Sequence, residues 1–181
     1  MKRMICLLIV ILLLTLSFVT ASAEDQWEPD VAFKTIDTEG NEWTDLAFGD
    51  AKLTMVNFWA YWCPPCVGEL EDLQKLSEDY PDLQLLGVSL KDYEEENVKT
   101  MKKLGITYPT LRMTDSIMEK MTSGYIPETM FVDSEGNIIG DNFVGSKSYS
   151  GWAAVIEDYL EKVPELKEKP EAPAADAEGA A

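Results

Sequence analysis

The 181-residue chain has no histidine, three cysteines (Cys6, Cys63 and Cys66) and two arginines, Arg3 and Arg112. Each shortage excludes something. A structural zinc site needs about four Cys or His ligands, and one Cys-x-x-Cys pair with no histidine cannot supply them. Basic residues are scarce as well, 15 against 33 acidic, for a formal charge of -18. A surface of that sign repels nucleic acid and anionic lipid head groups. It keeps the protein soluble and favours basic partners, with an association that salt would weaken.

The N-terminus has the three parts of a secretory leader. Lys2 and Arg3 precede an uncharged apolar run from Met4 to Val19, and Ala21-Ser22-Ala23 follows just before Glu24 and Asp25. Cleavage after Ala23 would release a soluble protein and move the charge to about -20; an uncleaved run would be a short anchor with its positive end in the cytoplasm. Residues 1–23 are therefore read as signal peptide or signal anchor. Cys6 lies too early in the run for lipid attachment and reads as a small hydrophobe. Either way the body of the protein is extracytoplasmic, in the periplasm or on the exterior of a bacterial envelope, where disulfides persist.

Trp62-Cys63-Pro64-Pro65-Cys66 follows the apolar run Leu53 to Trp59 and precedes helical spacing at Val67, Leu70, Leu73 and Leu76. That puts a dithiol where a strand becomes a helix. Unpaired N–H groups and the positive end of the helix dipole favour a thiolate there, and only the thiolate attacks a disulfide. Pro64 fits the first turn, where its missing N–H costs nothing. A loop this short gains little stability from being closed, so reactivity explains the pair better than a structural bridge or a soft-metal site.

Residues 24–163 have room for one domain with no evident internal repeat, and 164–181, rich in Glu, Lys, Pro and Ala, read as a disordered acidic tail. Strands are expected at Val31 to Ile36 and around Trp43, with Thr38-Glu39-Gly40-Asn41 as the turn between. Leu53 to Phe58 and Leu83 to Leu90 read as central strands. A helix runs from Cys66 to about Tyr80, stopped by Pro81, and another spans Glu94 to Leu104, ending at Gly105. Glu128 to Asp133, the turn Ser134-Glu135-Gly136-Asn137 and Ile138 to Val144 predict a β-hairpin. A last helix, about Tyr149 to Leu160, lines up Trp152, Val155, Ile156 and Tyr159. Alternating strands and helices make this an α/β protein.

The segments Phe58 to Cys66 and Tyr125-Ile126-Pro127-Glu128-Thr129-Met130-Phe131-Val132-Asp133 together resemble the TlpA/ResA-like (DsbE/CcmG-like) branch of thioredoxin-fold thiol-disulfide oxidoreductases. The likeness implies a thioredoxin fold with an N-terminal β-hairpin, a strand-helix insertion at about Leu83 to Leu111, and a mixed central sheet flanked by helices. It implies a cis bond at Ile126-Pro127, with Trp59, Trp62, Ile126 and Pro127 lining the surface that accepts a substrate chain. Thioredoxin itself carries a buried aspartate where Asn57 stands, and an amide cannot transfer a proton. In the ResA-like branch a glutamate three residues after the second cysteine takes that place, and Glu69 matches it; partial burial would raise its pKa for exchange with Cys66. Glu128 is a weaker candidate for substrate contact.

The activity so implied is reduction of partner disulfides. Cys63 attacks, Cys66 resolves, and a membrane thiol donor restores the dithiol without cofactor or metal. Apocytochrome c is a target type within the family. Rival readings are a disulfide-donating oxidase or isomerase, a peroxiredoxin-type peroxidase, and a Cu(I) carrier. Ala60, where a peroxidase has Thr or Ser, and Arg112, the sole arginine beyond the leader, weigh against the second; the missing histidine weighs against the third.

Overall fold

The computed structural model describes residues 29–89 and 94–166. The expected leader, Cys6, Leu90 and most of the expected tail lie outside the described residues. β1 (Lys34–Ile36) and β2 (Glu42–Thr44) form an antiparallel hairpin, and a 3-10 helix spans Asp45–Asp50. β3 (Leu53–Trp59), α1 (Pro64–Asp79) and β4 (Leu83–Ser89) form a parallel crossover; α2 (Glu94–Leu104) and β5 (Thr110–Arg112) form a second. After the short α3 (Asp115–Met118) come β6 (Glu128–Asp133), β7 (Phe143–Val144) and α4 (Tyr149–Leu160). The main sheet runs β5-β4-β3-β6-β7, with β6 antiparallel to β3 and β7 antiparallel to β6.

All seven residues of β3 are buried, because both faces of the sheet are covered. Leu53, Met55 and Trp59 face α1 and α4, packing with Leu70, Leu73, Trp152 and Ile156. Val56 and Phe58 point the other way, toward Val31, Phe33, Phe48 and Ile117. This period-2 division is what a pleated strand imposes. Asn57 interrupts the first face. Its register neighbours are Gly87 on β4 and Thr129 on β6, so a short polar row crosses the sheet beneath α1.

Two turns share one sequence pattern, Asp37-Thr38-Glu39-Gly40-Asn41 and Asp133-Ser134-Glu135-Gly136-Asn137. In each, the Asp Oδ1 accepts the N–H groups two and four residues on, and Oδ2 accepts the Asn side-chain amide, every bond at 2.9 Å. The glycines take φ of 93° and 86°, where a Cβ would be strained. The repeat is thus a turn module used twice.

Three expectations need correction. The first strand starts at Lys34 because Val31 and Phe33 turn into the core beside Phe48. The return from Ile138 is not one strand: after the bridge between Val132 and Ile138 the chain turns at Gly140 (φ 67°), packed on Tyr159, and pairs again only at Phe143–Val144. The 3-10 helix, β5 and α3 are additional elements, the last two only three and four residues long.

Candidate active site

Cys63 is the N-cap of α1, and Pro64 and Pro65 open the helix. Its Sγ accepts the Cys66 backbone N–H at 3.3 Å, so the sulfur fills the role a cap oxygen usually plays and feels the positive end of the helix. Cys63 and Cys66 are joined as a disulfide with Cα atoms 5.3 Å apart. Cys66 is fully buried, whereas Cys63 keeps 4% of its surface exposed at the lip of the site. The loop before them is tied to α2: the Tyr61 N–H donates to Oδ1 of the buried Asn97 at 2.8 Å.

The Ile126-Pro127 bond is cis. The Ile126 carbonyl lies 3.6 Å from Cys63 Sγ, a close contact with no hydrogen bond while the sulfur is in the disulfide. Pro127 is buried, and its carbonyl accepts the Gly145 N–H at 2.8 Å. Around the sulfur, Tyr61, Trp62 and Tyr125 are large apolar groups left exposed, Tyr125 at 73%. Trp59 is a correction. It is 1% exposed and belongs to the core beneath the dithiol, so it lines no exposed surface there.

Glu69, one helical turn beyond Cys66, is 2% exposed. Its Oε1 accepts Asn57 Nδ2 at 3.1 Å, and its Oε2 accepts the Trp152 indole N–H at 3.0 Å and the Lys147 backbone N–H at 3.1 Å. Burial pushes its carboxyl above the ordinary range, a push that these three donors only partly counter. The Lys147 ammonium lies 5.1 Å from the Phe143 ring centroid and 5.5 Å from that of Trp152. Asn57 also donates to Thr129 Oγ1 at 3.0 Å.

Glu128 does not face a substrate: it is fully buried. Its carboxylate accepts from the backbone and hydroxyl of Thr122, from those of Ser123, and from Asn142 Nδ2. Burial alone would raise its pKa, but these bonds outweigh burial and hold the carboxyl below its ordinary value. Glu128 thereby fastens the loop that delivers Tyr125 and Ile126 to the dithiol.

Sequence reasoning missed Asn97, Lys147 and the acceptor role of Asp72 and Glu69 toward the segment leading into α4. Asp72 Oδ2 accepts the Tyr149 N–H at 3.0 Å. A readable signal existed for Asn57, the one amide inside an otherwise apolar strand. None existed for Lys147, which contributes its backbone.

A family model described as the AhpC/TSA family matches residues 28–140. The chain is 31% identical over 127 residues to the thioredoxin-like protein YneN of Bacillus subtilis, covering 68% of this chain and 72% of that protein. It is 26% identical over 129 residues to the thiol:disulfide interchange protein DsbE of Haemophilus influenzae, covering 70% of each. A thioredoxin-family thiol:disulfide interchange protein from Chlorobium tepidum has a similar structure, with a TM-score of 0.63 and 25% identity over 76% of this chain and 99% of that one.

Proposed function

Because the chain belongs to the AhpC/TSA family and is a thioredoxin-fold thiol-disulfide oxidoreductase, we propose that it acts outside the cytoplasm as a reductant of disulfides in cell-envelope proteins. One observation carries the proposal: Cys63 caps α1 at the exposed lip, while Cys66 is buried one turn above the buried carboxylate of Glu69. The outer sulfur meets the partner, and the inner one is kept for the second step.

The Cys63 thiolate attacks a partner disulfide; a sulfur-sulfur bond forms to the partner and the partner's second sulfur leaves as a thiolate. Cys66 then gives up its proton to Glu69 and attacks Cys63 Sγ, which releases the partner as a dithiol and closes Cys63–Cys66. Two electrons pass to the partner. A membrane thiol donor reopens the disulfide by the same exchange. Trp62, Ile126 and Pro127 form the surface against which an extended partner segment lies, with Tyr61 and Tyr125 at its rim. The similarity to a protein named DsbE makes the paired cysteines of apocytochrome c the first partner to test.

The peroxidase alternative finds little support around the sulfur. Ala60 is buried in the place of a hydroxyl residue, and Arg112 on β5 is held by Glu94 at 2.6 Å. A trapping experiment tests the proposal. Cys66→Ser should accumulate a mixed disulfide with envelope proteins or with a reporter disulfide, and Cys63→Ser should not; equal trapping by both refutes the assigned order.

A further inference from the structure

α2 buries two side chains, Asn97 and Met101, one turn apart on the same face. Methionine is an ordinary choice there. An amide is not, because taking it out of water costs free energy unless it is bonded, and Asn97 is fully buried. Its two polar atoms are used unequally. Oδ1 accepts the Tyr61 N–H at 2.8 Å, whereas Nδ2 has no hydrogen-bond partner among the described residues. The residue therefore serves through its oxygen.

That oxygen meets the chain in the turn that joins β3 to α1. Pairing of β3 with β4 ends at Trp59 and Ser89, and the Cys63 N–H donates to the Ala60 carbonyl at 3.1 Å. Tyr61 and Trp62 are thus the two middle residues of a four-residue turn that leads directly into the reactive cysteine. Their side chains project outward, 37% and 49% exposed. Side chains that stand in solvent are placed by their backbone, and Asn97 fixes this backbone from the buried side. The start of α2 is itself held at this end of the sheet: Arg112 Nη2 donates to Glu94 Oε1 at 2.6 Å, and Arg112 pairs in register with Ser89, the partner of Trp59. The sulfur, by contrast, is placed by α1, through the Cys63 cap and Pro64-Pro65.

We propose that Asn97 is a positioning residue for partner binding. It holds the Tyr61-Trp62 turn so that both aromatic side chains stand where a partner segment reaches Cys63, and it governs capture of the partner more than the exchange of sulfur bonds. A turn already fixed needs no ordering when the partner docks, so binding keeps the free energy that ordering would take. Once released, the turn samples more conformations and capture weakens, while the exchange that follows docking is unaltered; such a change raises the half-saturating concentration and spares the maximal rate. The inference rests on the reading that the protein reduces protein disulfides.

The test is a single turnover of the intact, reduced protein with insulin disulfides, followed by tryptophan fluorescence as the insulin concentration is raised. Asn97→Leu keeps the volume and lacks the oxygen. It is expected to raise the half-saturating concentration about tenfold, the worth of one buried hydrogen bond, and to leave the maximal rate within about twofold. Asn97→Asp restores an oxygen and is expected to bring the half-saturating concentration back. An unchanged value in Asn97→Leu, or no recovery in Asn97→Asp, overturns the proposal, as does a loss confined to the maximal rate. Amide hydrogen exchange in the unmodified protein needs no variant: the Tyr61 N–H is expected to exchange at least about tenfold more slowly than a free amide, and exchange at the free rate overturns the tether. An unmodified protein that protects Tyr61 yet leaves insulin oxidised refutes the reductant reading, and the proposal with it, an outcome distinct from the others.

Discussion

Replacing Glu69 by Gln is expected to keep the fold and to change how the dithiol responds to pH. A Gln oxygen in the Oε2 position retains the Lys147 and Trp152 bonds, and rotation of the Asn57 amide turns its unpartnered Oδ1 toward the new NH2 group. The hydrogen bonds weaken by about 1 kcal/mol each on losing the charge, and the end of a buried carboxylate offsets that loss. The electrostatic effect is larger. Side chains three apart on a helix sit about 5–6 Å apart, and unit charges at about 6 Å in an effective dielectric of about 20 interact by roughly 3 kcal/mol. Ionised Glu69 therefore suppresses the Cys66 thiolate by up to about a hundredfold. Burial keeps the Glu69 carboxyl protonated to higher pH than usual, so the two proteins should match at acid pH and diverge above its titration, with more thiolate in the variant. Thiolate absorbance of the reduced proteins across pH measures this; superimposable curves would refute the coupling. Stability has a definite sign as well. A raised carboxyl binds its proton more tightly folded than unfolded, so its support is complete below its ordinary value of 4.5 and fades as pH rises through the folded titration. Relative to Glu69→Gln, the unmodified protein should lose stability over that window.

Glu128→Gln should cost about 2–3 kcal/mol in urea unfolding, because three donors on one carboxylate oxygen and two on the other cannot all be met by an amide. The lowered Glu128 carboxyl gives the opposite pH sign to Glu69. Its stabilisation is present above 4.5 and lost as pH falls through the folded value, so the two proteins should converge in acid. Gly87→Ala should destabilise by about 1–3 kcal/mol, since the new methyl meets Thr110 Oγ1 at 2.6 Å and the Trp59 and Tyr108 rings just beyond; an unchanged melting temperature would show that this corner is loosely packed. Trp152→Phe removes the indole donor to Glu69 and should cost about 1.5–3 kcal/mol on top of any packing change, read by thermal unfolding.

The elements longest in sequence were the most legible. α1 stops at Asp79 with Tyr80 as its cap just before Pro81, α2 spans Glu94–Leu104 ahead of Gly105 (φ 70°), and α4 covers Tyr149–Leu160, because periodic apolar positions and a breaker mark each. β5 and α3 carry too few residues for any period to register, and they exist because β4 and the Val31 to Phe48 layer offer partners for Thr110–Arg112 and Ile117. The interrupted return after Ile138 shows tertiary packing overriding strand propensity: Tyr159 of α4 occupies the space over Gly140. At the site, the placement of the dithiol at the strand-to-helix junction and the burial of Glu69 were legible from spacing and likeness. Trp59 and Glu128 were misplaced because both faces of the sheet are covered, so β3 and β6 bury these side chains whichever face they take. Asn97 was invisible because its partner, the Tyr61 N–H, is 36 residues away.

The most direct test of the reductant reading is the reduction potential of the Cys63–Cys66 couple, measured by equilibrium with glutathione or dithiothreitol buffers. The account predicts a value near that of reducing thioredoxins, about -270 mV or lower. A value at or above about -180 mV would contradict it and assign the same cap-and-carboxylate site to disulfide donation or isomerisation.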